Sequence, residues 1–251
     1  MIHAFLLVGQ SNMAGRGFPQ EVEPVDGKDI FVLRNGRWWP MYVPVNPDRV
    51  TAGTNLAESF AVRYAQDHGV QVGLIPCADG GTSLDQWRPG GVLFDHACMT
   101  AQLADRTAHI VGVLWHQGES DCGEARHPLV KEKLKNLISA FRQVPCLEKV
   151  PFLVGGLGDY LRNFERSKAI AQNYGLVNAA MEETVAETEN CAFVPATGLG
   201  ANPDNLHFSA AALREFGQRY YEVFCTLEDK NRTFEEKPTW EFAVRGELEA
   251  L

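Results

Sequence analysis

The sequence predicts a doubly wound α/β sandwich built on a parallel sheet, and three observations carry that expectation. Short apolar runs bounded by turn residues recur along the chain. Each run is nearly continuous rather than alternating, as strands covered on both faces must be. Helical stretches separate them. Alternation of this kind is the sequence trace of right-handed β-α-β crossovers. With 251 residues, 45% of them hydrophobic and 22% charged, the chain can bury one full core. One domain over 1–226 is expected, followed by a charged tail over 227–251 that has no functional reading.

The elements come in order. Strands are predicted over 2–8, 70–77, 110–115, 151–155 and 191–195, which makes a five-stranded, mostly parallel sheet. Helices are predicted over 55–67, 93–105, 128–142, 166–188 and 210–226, the last with Ser209 as its N-cap. The stretch DIFVLRNGRWWPMYV has Asn35-Gly36 between two strand-like runs and reads as a hairpin inserted after the first crossover. The tail carries Trp240 and Phe242 besides Phe234.

Composition excludes several function classes. The net charge is −9 and no basic run exists to neutralise phosphates, so neither a nucleic acid nor an anionic membrane is an expected partner. The six cysteines, Cys77, Cys98, Cys122, Cys146, Cys191 and Cys225, form no C-x-x-C pair and no dense framework. They read as buried or incidental thiols. The first residues lack a basic segment and a long apolar one, so a cytoplasmic location is expected.

In an open parallel sheet, ligands gather outside the carboxyl ends of the strands. Chemistry therefore belongs to the residues just past each apolar run. Gly9-Gln10-Ser11-Asn12 comes after the first, and Asp79-Gly80-Gly81-Thr82-Ser83-Leu84-Asp85-Gln86-Trp87 after the second. His116-Gln117-Gly118-Glu119-Ser120-Asp121 comes after the third, and GLGANPDNLHF, with Asp204 and His207, after the fifth. This set suits nucleophilic acyl transfer. A serine at a strand-to-helix turn is held rigidly, and backbone N–H groups at the helix start face any oxyanion that forms. A histidine must take the serine proton and a carboxylate must orient that histidine, a need that His207 and Asp204, three apart, can meet. Ser11 N–H and a glycine N–H of Gly80 or Gly81 are candidate oxyanion donors, with the Gln117 amide completing the hole.

The blocks GQSNMAG, GGTSLDQW, WHQGESD and DNLHFS, in this order over about 2–224, resemble the four signature blocks of the SGNH-type esterases. Within them the chain is most similar to the sialate O-acetylesterase and carbohydrate esterase family 6 branch. The resemblance implies a flavodoxin-like three-layer α/β/α fold and hydrolysis of acetyl esters on sugars through an acetyl-enzyme. It implies Ser11 as nucleophile, Asp204 and His207 as the other triad members, and Ser11 and one of the two glycines as oxyanion donors. No cofactor and no metal are expected, and the expected partner is a small-molecule or oligosaccharide acetyl ester. The wider superfamily has asparagine where this chain has Gln117.

Other residues have two readings each. Gln10 and Asn12 either position the loop around Ser11 or bind substrate, and Glu119 and Asp121 read as a hydrogen-bonded scaffold under Gln117 rather than as direct catalysts, with Glu119 also a candidate for substrate binding. Trp87, Trp38 and Trp39 are either a sugar-stacking wall or packing residues. His116 is either part of the rim or packed, and His3, His68, His96, His109 and His127 belong to no constellation. Three other classes compete. A metal-dependent hydrolase would use His116, Glu119, Asp121, Asp204 and His207, but the chain has no H-E-x-x-H or similar pair, and Ser11 would be idle. A non-catalytic sugar-binding module on the same fold would be expected to have lost Ser11 or His207. A nucleotide or flavin site lacks its phosphate-cradling loop.

Overall fold

A computed structural model describes residues 1–238, so Trp240 and Phe242 lie outside the described residues. The strands are β1 (Ile2–Gly9), β2 (Ile30–Arg34), β3 (Arg37–Pro40), β4 (Gln71–Pro76), β5 (His109–His116), β6 (Phe152–Gly155) and β7 (Cys191–Val194). They form one sheet in the order β3-β2-β4-β1-β5-β6-β7. Every pairing is parallel except β2 with β3. The five predicted strands are the inner β4-β1-β5-β6-β7 run, and the sheet has seven because the hairpin joins it. The hairpin lies within the first crossover rather than after it, since β2 and β3 come between β1 and β4 in the chain and β2 pairs with β4.

The helices are α1 (Ser11–Ala14), α2 (Leu56–His68), α3 (Val92–Asp105), α4 (Val130–Phe141), α5 (Lys168–Ala186) and α6 (Ala210–Leu227). α2 starts where the Asn55 side chain accepts from Ala57 N at 2.6 Å and Glu58 reaches back to Asn55 N at 2.7 Å, a complete capping box. It stops at Gly69, whose left-handed backbone costs glycine little. Ser209 caps α6 through Ala212 N. β1 is buried along its whole length, which explains its unbroken apolar sequence. Phe5 and Leu7 face the core under α2 and α6, while Ala4, Leu6 and Val8 face the core that includes Phe94 of α3, Leu134 of α4 and Val177 of α5. Phe5 meets Phe60, Tyr64 and Phe224 edge-on at 4.7, 4.9 and 5.5 Å between ring centres. The sandwich therefore has three layers, and β1 at its centre fixes the position of the residues past Gly9.

All six cysteines are free. No helix of the described residues is long and apolar enough to cross a membrane. The sequence shows no link between His3, His68 and His109, yet they gather beneath the segment that leaves α6. His3 Nδ1 is 2.7 Å from Tyr64 Oη, His68 Nε2 is 2.8 Å from Glu228 Oε1, and Phe234 packs on both His3 and His109. His3, Tyr64, His68, Glu228 and Phe234 border a cavity of about 820 Å³ at the amino ends of the strands, the end of the sheet away from Ser11.

Candidate active site

β1 hands over to α1 through Gly9, whose φ is +131°. A side chain there would reach within 2.0 Å of His116 O, so only glycine lets Gln10 N–H bond that carbonyl at 2.9 Å. The turn sets Ser11 at the first position of α1, 7% exposed and above the sheet edge. Ser11 Oγ lies 3.0 Å from His207 Nε2, and His207 Nδ1 lies 2.6 Å from Asp204 Oδ2. The other oxygen of Asp204 accepts Leu206 N–H at 2.9 Å and His207 N–H at 3.0 Å, so the carboxylate and the ring come from one closed loop. Burial pulls the Asp204 carboxyl up; the two backbone donors and the imidazole outweigh it and hold the group below the ordinary carboxylate range. An ionised Asp204 accepts a hydrogen bond from Nδ1–H, which keeps the proton on Nδ1 and leaves the Nε2 lone pair to accept from the serine hydroxyl.

The loop after β4 forms the opposite lip. Asn46 pairs both backbone groups of Ala78 at 3.0 Å, and Asp48 Oδ2 accepts Gly80 N–H at 2.8 Å. Arg16 grips Asp48 in a two-pronged ion pair at 2.7 and 3.0 Å, and both side chains are nearly inaccessible. Asn46, Asp48, Arg16 and Arg49 escape a sequence reading because Asn46-Pro47-Asp48 looks like an ordinary turn. Nothing in its spacing says that it reaches residues 78–80. Gly80 N–H is thereby committed, while Gly81 N–H has no hydrogen-bond partner among the described residues.

The loop after β5 departs from expectation. Gln117 is 1% exposed, and its Nε2 donates to Gln10 Oε1 at 3.2 Å, Thr82 O at 3.1 Å and Asp121 Oδ2 at 2.5 Å. The structure does not bring that amide to the pocket, because three acceptors beneath the rim draw it inward. Asp121 also accepts Leu84 N–H at 2.8 Å; burial raises its pKa against the pull of these donors. Gln10 is the glutamine at the pocket. Its Oε1 takes Gln117 Nε2 and, at 3.4 Å each, the N–H groups of Gly118 and Ser120. Backbone donors fix which end is oxygen, so the Gln10 NH₂ is left to the cavity.

That cavity is about 310 Å³ and open to solvent. Gln10, Ser11, Gly80, Gly81 and His207 form its reacting side; Arg16, Arg49, Glu119, Ser120, Ile170 and Leu206 complete the wall. Trp87 is fully buried, donates to Thr82 Oγ1 at 3.0 Å and packs against Trp115, so it supports the loop and does not face a sugar. Trp38 is buried at the sheet edge and Trp39 is exposed on the outer strand β3; neither lines the cavity. His116 is buried with Nε2 on Gly156 O at 3.0 Å, and burial lowers its pKa. Among the described residues no three His, Cys, Asp or Glu side chains are grouped to hold a metal ion.

Residues 1–226 match the family described as carbohydrate esterase, sialic acid-specific acetylesterase. The chain belongs to this family. It is an α/β carbohydrate esterase that hydrolyses acetyl esters on carbohydrates. A protein of Arabidopsis thaliana named as a probable carbohydrate esterase is 28% identical to it over 251 residues, covering 88% of this chain and 91% of the relative. The solved Arabidopsis thaliana structure superposes with a TM-score of 0.79 at 25% identity, over 89% of this chain and 98% of that one. NanS (TM-score 0.68, 17% identity, 90% and 97% covered) and a carbohydrate acetylesterase from Xanthomonas citri (0.63, 18%, 87% and 55%) share the fold of this carbohydrate esterase.

Proposed function

We propose that Ser11, His207 and Asp204 carry out the deacetylation. The observation that supports this is the continuous chain from Ser11 Oγ through His207 to Asp204, at 3.0 and 2.6 Å, opening on a cavity large enough for an acetyl group. Ser11 Oγ attacks the acetyl carbonyl as its proton passes to His207 Nε2. The C–O bond to the sugar then breaks, and the same proton leaves on the sugar oxygen. Water attacks the acetyl-enzyme, giving its proton to His207; acetate departs and Ser11 is restored. Asp204 keeps the ring in the required tautomer and offsets its transient charge.

The oxyanion takes Ser11 N–H and Gly81 N–H as donors, Gly80 N–H being spent on Asp48. Gln10 Nε2 supplies the side-chain donor in place of Gln117. The sugar ring rests outside this small opening and is an O-acetylated monosaccharide or the end of an oligosaccharide. Arg49 at the mouth, its side chain 51% exposed and 2.8 Å from Asp79, supports an acidic sugar among the substrates. Ser11→Ala tests the reading: turnover of an acetylated sugar is expected to fall by about 10⁴-fold or more in a protein that keeps its fold. A folded variant near the parent rate would end it.

A further inference from the structure

Asn12 comes directly after the proposed nucleophile, is fully buried and does not line the cavity. Its carboxamide is nonetheless completely used. Nδ2 donates to Glu119 Oε1 at 2.5 Å and to Leu206 O at 3.2 Å, and Oδ1 accepts Phe208 N–H at 3.1 Å. Leu206 and Phe208 are the two neighbours of His207 in the chain. The amide therefore brackets the histidine as an adjacent β-strand would, one hydrogen bond on each side. His207's own N–H and C=O are held by Asp204 Oδ1 and Asn202 N. Glu119 fixes which way the amide faces together with Leu206 O and Phe208 N–H. Exchanging its oxygen and nitrogen would aim the oxygen at the Glu119 carboxylate and Leu206 O, and the NH₂ at Phe208 N–H, turning three attractive contacts repulsive.

We propose that Asn12, oriented by Glu119, is a positioning residue that fixes the Ser11–His207 separation: its backbone carries Ser11 and its side chain carries the segment of His207. A triad loses rate steeply when its members drift, and an ångström of misplacement can cost about 10²-fold. The carboxylate of Glu119 serves here as an acceptor, not as an acid or a base. This inference rests on the serine-esterase reading of the site.

The test compares Asn12→Ala, Glu119→Ala, Glu119→Gln and Ser11→Ala on one soluble acetyl ester, with kcat and KM determined separately, together with thermal unfolding and the rate of covalent labelling by a fluorophosphonate. Asn12→Ala is expected to lower kcat and the labelling rate together by about 10²-fold, with KM within about threefold, because Asn12 touches no substrate. Glu119→Ala should lose about tenfold or more in kcat, and Glu119→Gln, whose carbonyl oxygen still accepts from Asn12, should recover most of that loss. A folded Asn12→Ala with near-parent kcat, or an effect confined to KM, overturns the proposal. So does a Glu119→Gln as poor as Glu119→Ala, since the charge and not the acceptor would then matter. This last comparison decides the matter if Asn12→Ala does not fold. Ser11→Ala separates the levels: if it stays active the serine reading fails, and if it is dead while the other variants stay active, only the positioning role fails.

Discussion

Asp204 accepts three hydrogen bonds with two oxygens: it closes its own loop through Leu206 N and His207 N and holds the imidazole at Nδ1. Asp204→Asn keeps the shape and loses the tautomer control, so kcat is expected to fall by about 10³- to 10⁴-fold with little change in unfolding temperature. Asp121→Asn should act on stability instead, because Asp121 gathers Leu84 N and Gln117 Nε2 beneath the rim. The two glutamines separate in the same way. Gln10→Ala should cost about 10²-fold in kcat if its NH₂ meets the oxyanion, and Gln117→Ala should loosen the loop that supports it. Equal kcat losses in the two, without any stability change, would return Gln117 to the oxyanion hole. The grouping of Ser11, Asp204 and His207 was legible in the sequence because the proposed chemistry needs few residue types at strand ends. The inward turn of Gln117 was not legible, because a place at a strand end does not tell which way a side chain turns. Its neighbour Asp121 draws it inward.

The elements that carry the site are tied to each other by side chains at their ends. Asn55 caps α2 and also donates to Met13 O and Ala14 O, so the helix that covers β1 and the single turn bearing Ser11 share one residue. Asn55→Ala is expected to lower stability by at least about 1 kcal/mol, the usual worth of a cap, and to lower kcat as well, which chemical unfolding and initial rates would show. An unchanged kcat would mean that α1 is held by β1 alone. The helices were readable from caps and apolar spacing to within a few residues. The hairpin was readable from Asn35-Gly36, but its place was not: only the open edge of β4 says that β2 joins the main sheet.

At the scale of the molecule, the sheet separates the end that carries Ser11 from an end where His3 is buried beside the partly exposed His68 and His109. His3 is held down to about 4, from an ordinary 6.5, by burial first and then by His109, His68, the chain terminus and Arg232. Folding keeps it neutral while the unfolded chain protonates it below 6.5, so its contribution is complete above that pH and is lost as pH falls toward about 4. The unfolding midpoint should drop across this window, and less steeply in His3→Gln; identical slopes would remove His3 as a cause. The mostly parallel sheet was foreseeable from strand and helix alternation, because right-handed crossovers leave few arrangements. The pairing of 46–48 with 78–80 was not, since it links distant loops through side chains that look like turn formers. The central claim is that one serine at the end of β1 performs the chemistry. It is tested most directly by treating the protein with a fluorophosphonate and tracking, by peptide mass spectrometry, the adduct at each serine as acetyl-ester turnover declines. The account predicts a single adduct at Ser11 whose fraction equals the fraction of activity lost; full turnover with Ser11 completely modified, or loss of activity with the adduct elsewhere, would contradict it.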